Sequence, residues 1–527
     1  MKFKYITLAL LTLGLIACES DDEGNVDLVP VVELTTGSAD VSNYVAVGAS
    51  FTAGFTDNAL FIAAQENSFP NTIAKQFAVA GGGDFTQPLM NDNVGGLLFG
   101  GVQIANPRLF FNGAGPAVLE AMPTTEVTNV LTGSFRNMGV PGAKSFHLLA
   151  PGYGNVAGVP AGTANPYFAR MASNPNATIL EDAVAQSPTF FTLSEIGGND
   201  VLGFATSGGI GVDQTGNPDP STYGPADITD PTLFAGTISA IVDGLTANGA
   251  GGVIANVPYV TSLPYFTTVP VNALDPSDPA FGSQVPVLNA TFAGLNQAFV
   301  ALGVPERQII YSETEPSPIL IFDEDLTDIS AQLNAALQAG GVDPLTAQLL
   351  STQFAQSRQA NADDLAVLPS STVIGTLNED YFNLLIGLGV DPTTAGQLAV
   401  NGITFPMEDQ WVLTATETSL VITATDAYNA TIQSLASSSN LALVDLNSIL
   451  QEASTAGVVF DDFTLTTDLV FGGLVSLDGV HLTARGYAFM ANKFLEAMDA
   501  TYGSNFVEAG QVARANDFPV AYSPDLQ

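Results

Sequence analysis

The chain has only two histidines, His147 and His481, so any chemistry that needs an imidazole has few solutions. His481 closes the run Asp478-Gly479-Val480-His481, which sets a carboxylate three residues before the ring. A single turn can bring that carboxylate to one ring nitrogen and orient the other as a base. Far upstream, Ser50 stands in Gly48-Ala49-Ser50-Phe51-Thr52-Ala53-Gly54, just after the apolar run Tyr44-Val45-Ala46-Val47. A serine hydroxyl is a poor nucleophile until a base takes its proton, and histidine suits that task near neutrality. Two further islands lie between, Asn137-Met138-Gly139-Val140-Pro141-Gly142 and Gly197-Gly198-Asn199-Asp200. A backbone N–H freed by glycine and an asparagine amide can both hold a developing oxyanion. A nucleophile, an oriented base and two oxyanion donors point to ester hydrolysis.

The competing candidates are weaker. His147 follows Gly142 closely but has no Asp-x-x-His arrangement, so it reads as structural. A Gly-x-Ser-x-Gly elbow, which a classical α/β-hydrolase requires, is absent from the sequence. Asp213, Asn217, Asp219, Asp227 and Asp230 are calcium-type ligands, yet they lack EF-hand spacing and sit among prolines, which favours a solvated acidic loop. No cofactor or metal is expected.

Positioning such a site needs strands that end beside it. Tyr44–Val47 predicts a first strand with a turn over Gly48–Ser50, and a second strand is expected to end near Met138. Thr189–Ile196 is rich enough in large residues to be buried on both faces. Leu233–Leu245 suits a helix before the apolar strand Gly252–Asn256, and helical Ser419–Ala436 precedes the strand Leu441–Asp445. Strands alternating with helices imply a parallel sheet between helical layers. Thr483 can cap a last helix whose Tyr487, Met490, Ala491, Phe494, Leu495 and Met498 form one core-facing stripe.

Three regions read as additions to this core. Residues 85–125 mix glycine with the patches Leu97-Leu98-Phe99 and Leu109-Phe110-Phe111, and 201–230 are rich in Gly, Pro and Asp. Residues 310–410 are expected to be a mostly helical insertion, a candidate cover over the site. They carry a weak repeat, Gly341-Val342-Asp343-Pro344 against Gly389-Val390-Asp391-Pro392, in which Asp or Pro can start a helix after a glycine stop.

The charge balance is extreme: 12 basic against 52 acidic residues, a net charge of −40. Phosphate backbones would be repelled, which argues against nucleic-acid binding, and anionic headgroups would repel the globular part as well. No obligate protein partner is evident. At the N-terminus, Lys2 and Lys4 precede a short apolar stretch, Tyr5–Ile16, that reads as an export signal over residues 1–17. Leu15-Ile16-Ala17-Cys18 resembles a bacterial lipobox, with Cys18, the single cysteine of the chain, as the lipidated residue that would tie the protein to a membrane. The acidic run Glu19, Asp21, Asp22 and Glu23 resembles the surface-export signals of some Bacteroidetes lipoproteins, within an acidic tether over 18–40.

In their order and content the four islands resemble the SGNH (GDSL-like) hydrolases. The resemblance places Ser50 as nucleophile, Asp478 and His481 as its partners, and Gly142 and Asn199 with the Ser50 N–H as the oxyanion hole. It implies a flavodoxin-like three-layer α/β/α sandwich with a parallel central sheet, over residues 41–510, before a C-terminal tail at 511–527. It also implies metal-free ester hydrolysis through an acyl-enzyme, on an acyl lipid or an acylated glycan. One departure is visible: Ala49 replaces the aspartate usual before the serine, so the local hydrogen bonding must differ. A polysaccharide O-deacetylase with the same machinery, and a catalytically silent surface glycan-binding protein, are the alternative readings.

Overall fold

Five short strands build one sheet: β1 (Tyr44–Gly48), β2 (Asn137–Gly139), β3 (Phe190–Ser194), β4 (Gly251–Ala255) and β5 (Ala442–Val444). All pairings are parallel, and the spatial order is β2-β1-β3-β4-β5. In this computed structural model residues 32–527 are described, and Leu34–Gln527 form one compact unit. The leader, Cys18 and most of the acidic tether lie outside the described residues. Among the described residues no helix is long and apolar enough to cross a membrane.

The sheet is apolar on both faces because its strands are. Val45, Val47, Phe191, Leu193 and Ile254 point to one cluster, while Tyr44, Ala46, Phe190, Val253 and Ala255 point to another. Six helices matter here: α1 (Ser50–Ala53), α2 (Phe69–Val79), α3 (Asn199–Thr206), α4 (Pro231–Thr246), α5 (Ala415–Ser438) and α6 (Ala484–Tyr502). Ile238, Ile241 and Val242 of α4 pack on the first face with Val421, Tyr428 and Ile432 of α5. Ile73 and Phe77 of α2 cover the second with Tyr487, Met490 and Phe494 of α6. Thr483 caps α6 as its sequence suggests, its Oγ1 accepting from Gly486 N–H at 2.9 Å, and Asp230 caps α4 by accepting from Leu233 N–H. One difference lies at the first turn, where Ser50 already begins a helix.

The insertion is larger than its sequence signature. Helix Val285–Ala301, the hairpins Ser330–Ala339/Pro344–Phe354 and Glu379–Gly387/Pro392–Leu398, and the strand pair Leu320–Phe322/Ser357–Gln359 surround a core of their own. That core reaches from Val269 to Val412. Periodicity marks 285–301 as a helix but cannot say which core it joins. Both repeat copies sit at helical bends: Gly341 and Gly389 take φ of +92° and +87°, and Asp343 and Asp391 accept from the first N–H groups of the next helix.

The other additions also differ from their first appearance. Residues 97–118 form two antiparallel strand pairs, Leu97–Phe99 with Val102–Ala105 and Leu109–Phe111 with Pro116–Val118, and Leu97 is wholly buried. The segment 511–527 packs on the body of the protein. Buried Arg108 donates to the carbonyls of Ser523 and Leu526 at 2.6 and 2.8 Å, and Tyr522 meets Phe61 edge to face. A buried guanidinium needs acceptors, and this segment supplies them.

Candidate active site

Ser50, Gly142 and Asn199 follow the carboxyl ends of β1, β2 and β3, which are neighbours in the sheet. Chain order reverses between β1 and β3, and open parallel sheets leave a crevice at such a point. Four polar cross-links hold the islands together. Val140 N–H donates to the Gly48 carbonyl at 3.0 Å, and Asn137 Nδ2 donates to the Thr52 carbonyl at 2.8 Å. Asn199 Nδ2 donates to the Ala143 carbonyl at 3.0 Å, while the buried Asp200 carboxylate accepts from Ser145 N–H and Oγ at 2.9 and 2.7 Å.

The two glycines of Asn-x-Gly-x-x-Gly do different work. Gly142 has φ of +79°, a conformation that β-carbon-bearing residues rarely adopt. Gly139 is a packing requirement, because a Cβ there would overlap the backbone of Thr52 and Ala53 in α1. Gly139→Ala is therefore expected to destabilise the fold by about 1–3 kcal/mol and to displace α1. Urea unfolding of the variant would check this, and an unchanged midpoint would contradict it.

The Asp478–His481 turn is closed on itself. Asp478 Oδ2 meets His481 Nδ1 at 2.9 Å, and Oδ1 accepts from the N–H groups of Val480 and His481 at 2.8 Å each. Asn58 N–H donates to Oδ2 at 2.8 Å, so the segment just after the first island reaches this turn directly. Burial alone would raise the Asp478 pKa. The His481 charge and these hydrogen bonds overcome it and hold the carboxyl below the usual carboxylate range. An ionised carboxylate only accepts, so Nδ1 donates to it and Nε2 is the ring nitrogen left for another partner. The ring rests against Phe55 and Phe51, with centroids 4.7 and 5.8 Å away, which brings it to the segment that starts with Ser50. Among the described residues the Ser50 hydroxyl makes no hydrogen bond, and neither do the N–H groups of Ser50 and Gly142.

Three polar residues that the sequence reading overlooked frame this arrangement. Glu195 follows β3 with φ of +49° and is 7% exposed. Its Oε1 accepts from Ala49 N–H at 2.6 Å and Thr52 N–H at 3.1 Å, and Thr52 Oγ1 donates to Oε2 at 3.2 Å. Burial pushes its pKa up to about 7, against those hydrogen bonds. A lone carboxylate at the end of an otherwise apolar run was the available signal. Asp57 and Asn58, at φ of +50° and +62°, form the other part of the frame. Asp57 accepts from Leu477 N–H at 3.1 Å, and burial with the nearby Asp478 charge lifts its pKa to about 7. No spacing rule pointed to these two, because their partners lie more than 400 residues away.

The remaining candidates are accounted for locally. His147 Nδ1 accepts from Lys144 N–H at 3.0 Å and its ring stacks on Tyr153 at 4.3 Å, so it serves as a cap. Burial and Lys144 push its pKa down to about 4. In the 201–230 loop, Asp213, Asp219, Asp227 and Asp230 spend their carboxylates on nearby N–H, hydroxyl and amide groups, and Asn217 joins Gln214 and Thr222.

A segment just ahead of the insertion, and Leu368 within it, meet the Asp478–His481 turn. Tyr265 N–H donates to the Gly479 carbonyl at 3.0 Å, and a Cβ on Gly479 would crowd Tyr265 and Leu368. Phe471, 84% exposed, meets Phe111 edge to face. An apolar pocket beside the turn is lined by Phe51, Leu263, Ile449, Leu474, Val480 and Leu482. Comparison with protein-family models, with curated proteins and with solved structures gives no match to this chain.

Proposed function

We propose that this chain is a serine ester hydrolase of the SGNH type, built on a flavodoxin-like sheet. The observation that carries the reading is the Asp478–His481 pair, braced by Asn58 from the segment that Ser50 begins, with unspent N–H donors beside it. The strand order β2-β1-β3-β4-β5 supports it, being the order of flavodoxin-like folds. So does Glu195, which takes up the N–H groups around Ser50 where the resemblance would have an aspartate at position 49.

In the proposed cycle His481 Nε2 takes the Ser50 proton as Oγ attacks the ester carbonyl. The Ser50 and Gly142 N–H groups and Asn199 Nδ2 hold the oxyanion, and His481 then protonates the departing alcohol. Water, deprotonated by the same nitrogen, releases the acid and restores Ser50. The apolar lining of the small pocket between Phe51 and Val480, about 50 Å³, favours a short acyl group over a polar one. The leader and Cys18 support an exported lipoprotein, held at the outer membrane by its lipid.

The test is covalent labelling by a fluorophosphonate, followed by peptide mass mapping, together with rates on p-nitrophenyl esters from acetate to palmitate. Label on the Ser50 peptide, absent in Ser50→Ala, is the expected result. Turnover without labelling at Ser50 would overturn the mechanism. Acetate release from acetylated xylan with no action on longer esters would move the substrate to glycans.

A further inference from the structure

Away from Ser50, where the insertion joins the core, three carboxylates converge. Glu324 follows strand Leu320–Phe322, Asp409 lies on the insertion's return, and Glu417 sits in the first turn of α5. One carboxylate oxygen from each lies within 4.8 Å of the other two. Glu417 is only 3% exposed, and its Oε2 accepts from Thr414 N–H and Oγ1 at 2.7 and 2.9 Å. Its Oε1 is buried with no hydrogen-bond partner, and so is Asp409 Oδ1. The nearby cation, Arg358, is already committed to Asp323 and Asp364 at 2.6 Å each. Among the described residues none of the three carboxylates has an ion-pair partner.

Buried carboxylate oxygens without donors are costly, and three together repel one another. Burial and the Glu324 charge accordingly hold the Asp409 and Glu417 carboxyls above their ordinary range. A divalent cation removes both penalties. The ligand set is all oxygen, which selects a hard ion over zinc or copper. Calcium binds oxygens at about 2.3–2.6 Å, so oxygens on opposite sides of one ion stand about 5 Å apart, and the observed spread fits a single coordination sphere. Gly209, at φ of +91° in the turn after α3, makes room for this, since a Cβ there would overlap the Glu417 carboxylate.

We propose that Glu324, Asp409 and Glu417 form a structural calcium site that pins the insertion to the core. The ion joins the insertion to α5 beside the end of α3, whose first residue is Asn199. The same insertion brings Leu368 against Gly479. The site would therefore steady the insertion beside the Asp478–His481 turn without entering the chemistry.

Full-length protein stripped with chelator and dialysed would be titrated with calcium chloride by calorimetry and followed by thermal melting. The expected result is one calcium per chain and a melting temperature that rises by about 3 °C or more at hundredfold excess over Kd. Glu324 is exposed, so Glu324→Gln should fold normally yet bind at least about tenfold more weakly. The Glu324→Gln/Asp409→Asn double variant should lose both responses while its metal-free form melts no lower than the wild type. Absence of calcium heat and of any melting shift in the wild type would overturn the site. Undiminished binding in the double variant would overturn it too, and so would a response to magnesium alone.

Discussion

Asp478→Asn is expected to lower kcat on p-nitrophenyl butyrate by about 10³–10⁴-fold, with KM changed only a few-fold. The carboxylate accepts four hydrogen bonds, from Val480 and His481 N–H on Oδ1 and from Asn58 N–H and His481 Nδ1 on Oδ2. An asparagine can keep its carbonyl oxygen toward the first pair. Its amide then presents donors to both Asn58 N–H and His481 Nδ1–H. The ring escapes that conflict by moving its proton to Nε2, which removes the base that the proposed mechanism requires for Ser50. Asn58 cannot escape, so the turn itself loosens and the melting temperature should also fall by a few degrees. Steady-state kinetics and melting measured on one preparation separate the two effects. Wild-type kcat in the variant would remove Asp478 from the mechanism.

Glu195→Ala should be as damaging by another route. It strips the acceptor from Ala49 N–H, Thr52 N–H and Thr52 Oγ1, all in the buried segment around Ser50. Each orphaned donor costs about 1–3 kcal/mol, so the three together are expected to cost about 3–9 kcal/mol. Because Glu195 pins the N–H groups on either side of Ser50, its loss also frees the Ser50 N–H to wander. A further fall in kcat of about 10²-fold follows if that N–H serves the oxyanion. Glu195→Gln should rescue both, since an amide oxygen accepts the two N–H groups and its nitrogen can donate to Thr52 Oγ1.

The pH dependence of stability distinguishes the glutamine variant from the wild type. The folded Glu195 carboxyl titrates at about 7 against a reference value of 4.5, so the folded state binds the extra proton between those values. Stability is therefore greatest at the acid end of that window and declines as pH rises through about 7, by about 3 kcal/mol from this group. Asp57, lifted to about 7, acts in the same direction, and a net charge of −40 adds repulsion that also grows with pH. Denaturant titrations at pH 5 and pH 8 should show the wild type weaker at pH 8, with a smaller difference in Glu195→Gln. Equal differences would mean that Glu195 is not the titrating group.

Much of the architecture was legible because it is written in local periodicity. Two-sided apolar runs marked β1, β3 and β4, and the 3.6-residue stripe from Tyr487 to Met498 marked α6. Asp343, Asp391 and Thr483 were readable as helix starts, since capping is a contact between near neighbours. Asp478 and His481 were readable for the same reason: their bond spans a single turn. The extent of the insertion was not, because Val285–Ala301 has the pattern of any half-buried helix and only its neighbours assign it to the separate core. Nor did the acidic loop at 213–230 differ on paper from the cluster at Glu324, Asp409 and Glu417. The first satisfies its carboxylates within the loop itself, whereas the second assembles across 93 positions of chain and leaves two oxygens bare.

The sequence by itself thus determined the alternation of strands and helices, several caps, and the residue types on which the proposed ester chemistry rests. Those are properties of segments a few residues long, where spacing dictates geometry. Only the tertiary structure decided that Glu195 would clamp the Ser50 turn, that Asn58 would brace Asp478, and that Tyr265 would rest on Gly479. Each of those contacts joins residues more than 140 positions apart, and no local pattern encodes which distant backbone N–H a buried carboxylate will find.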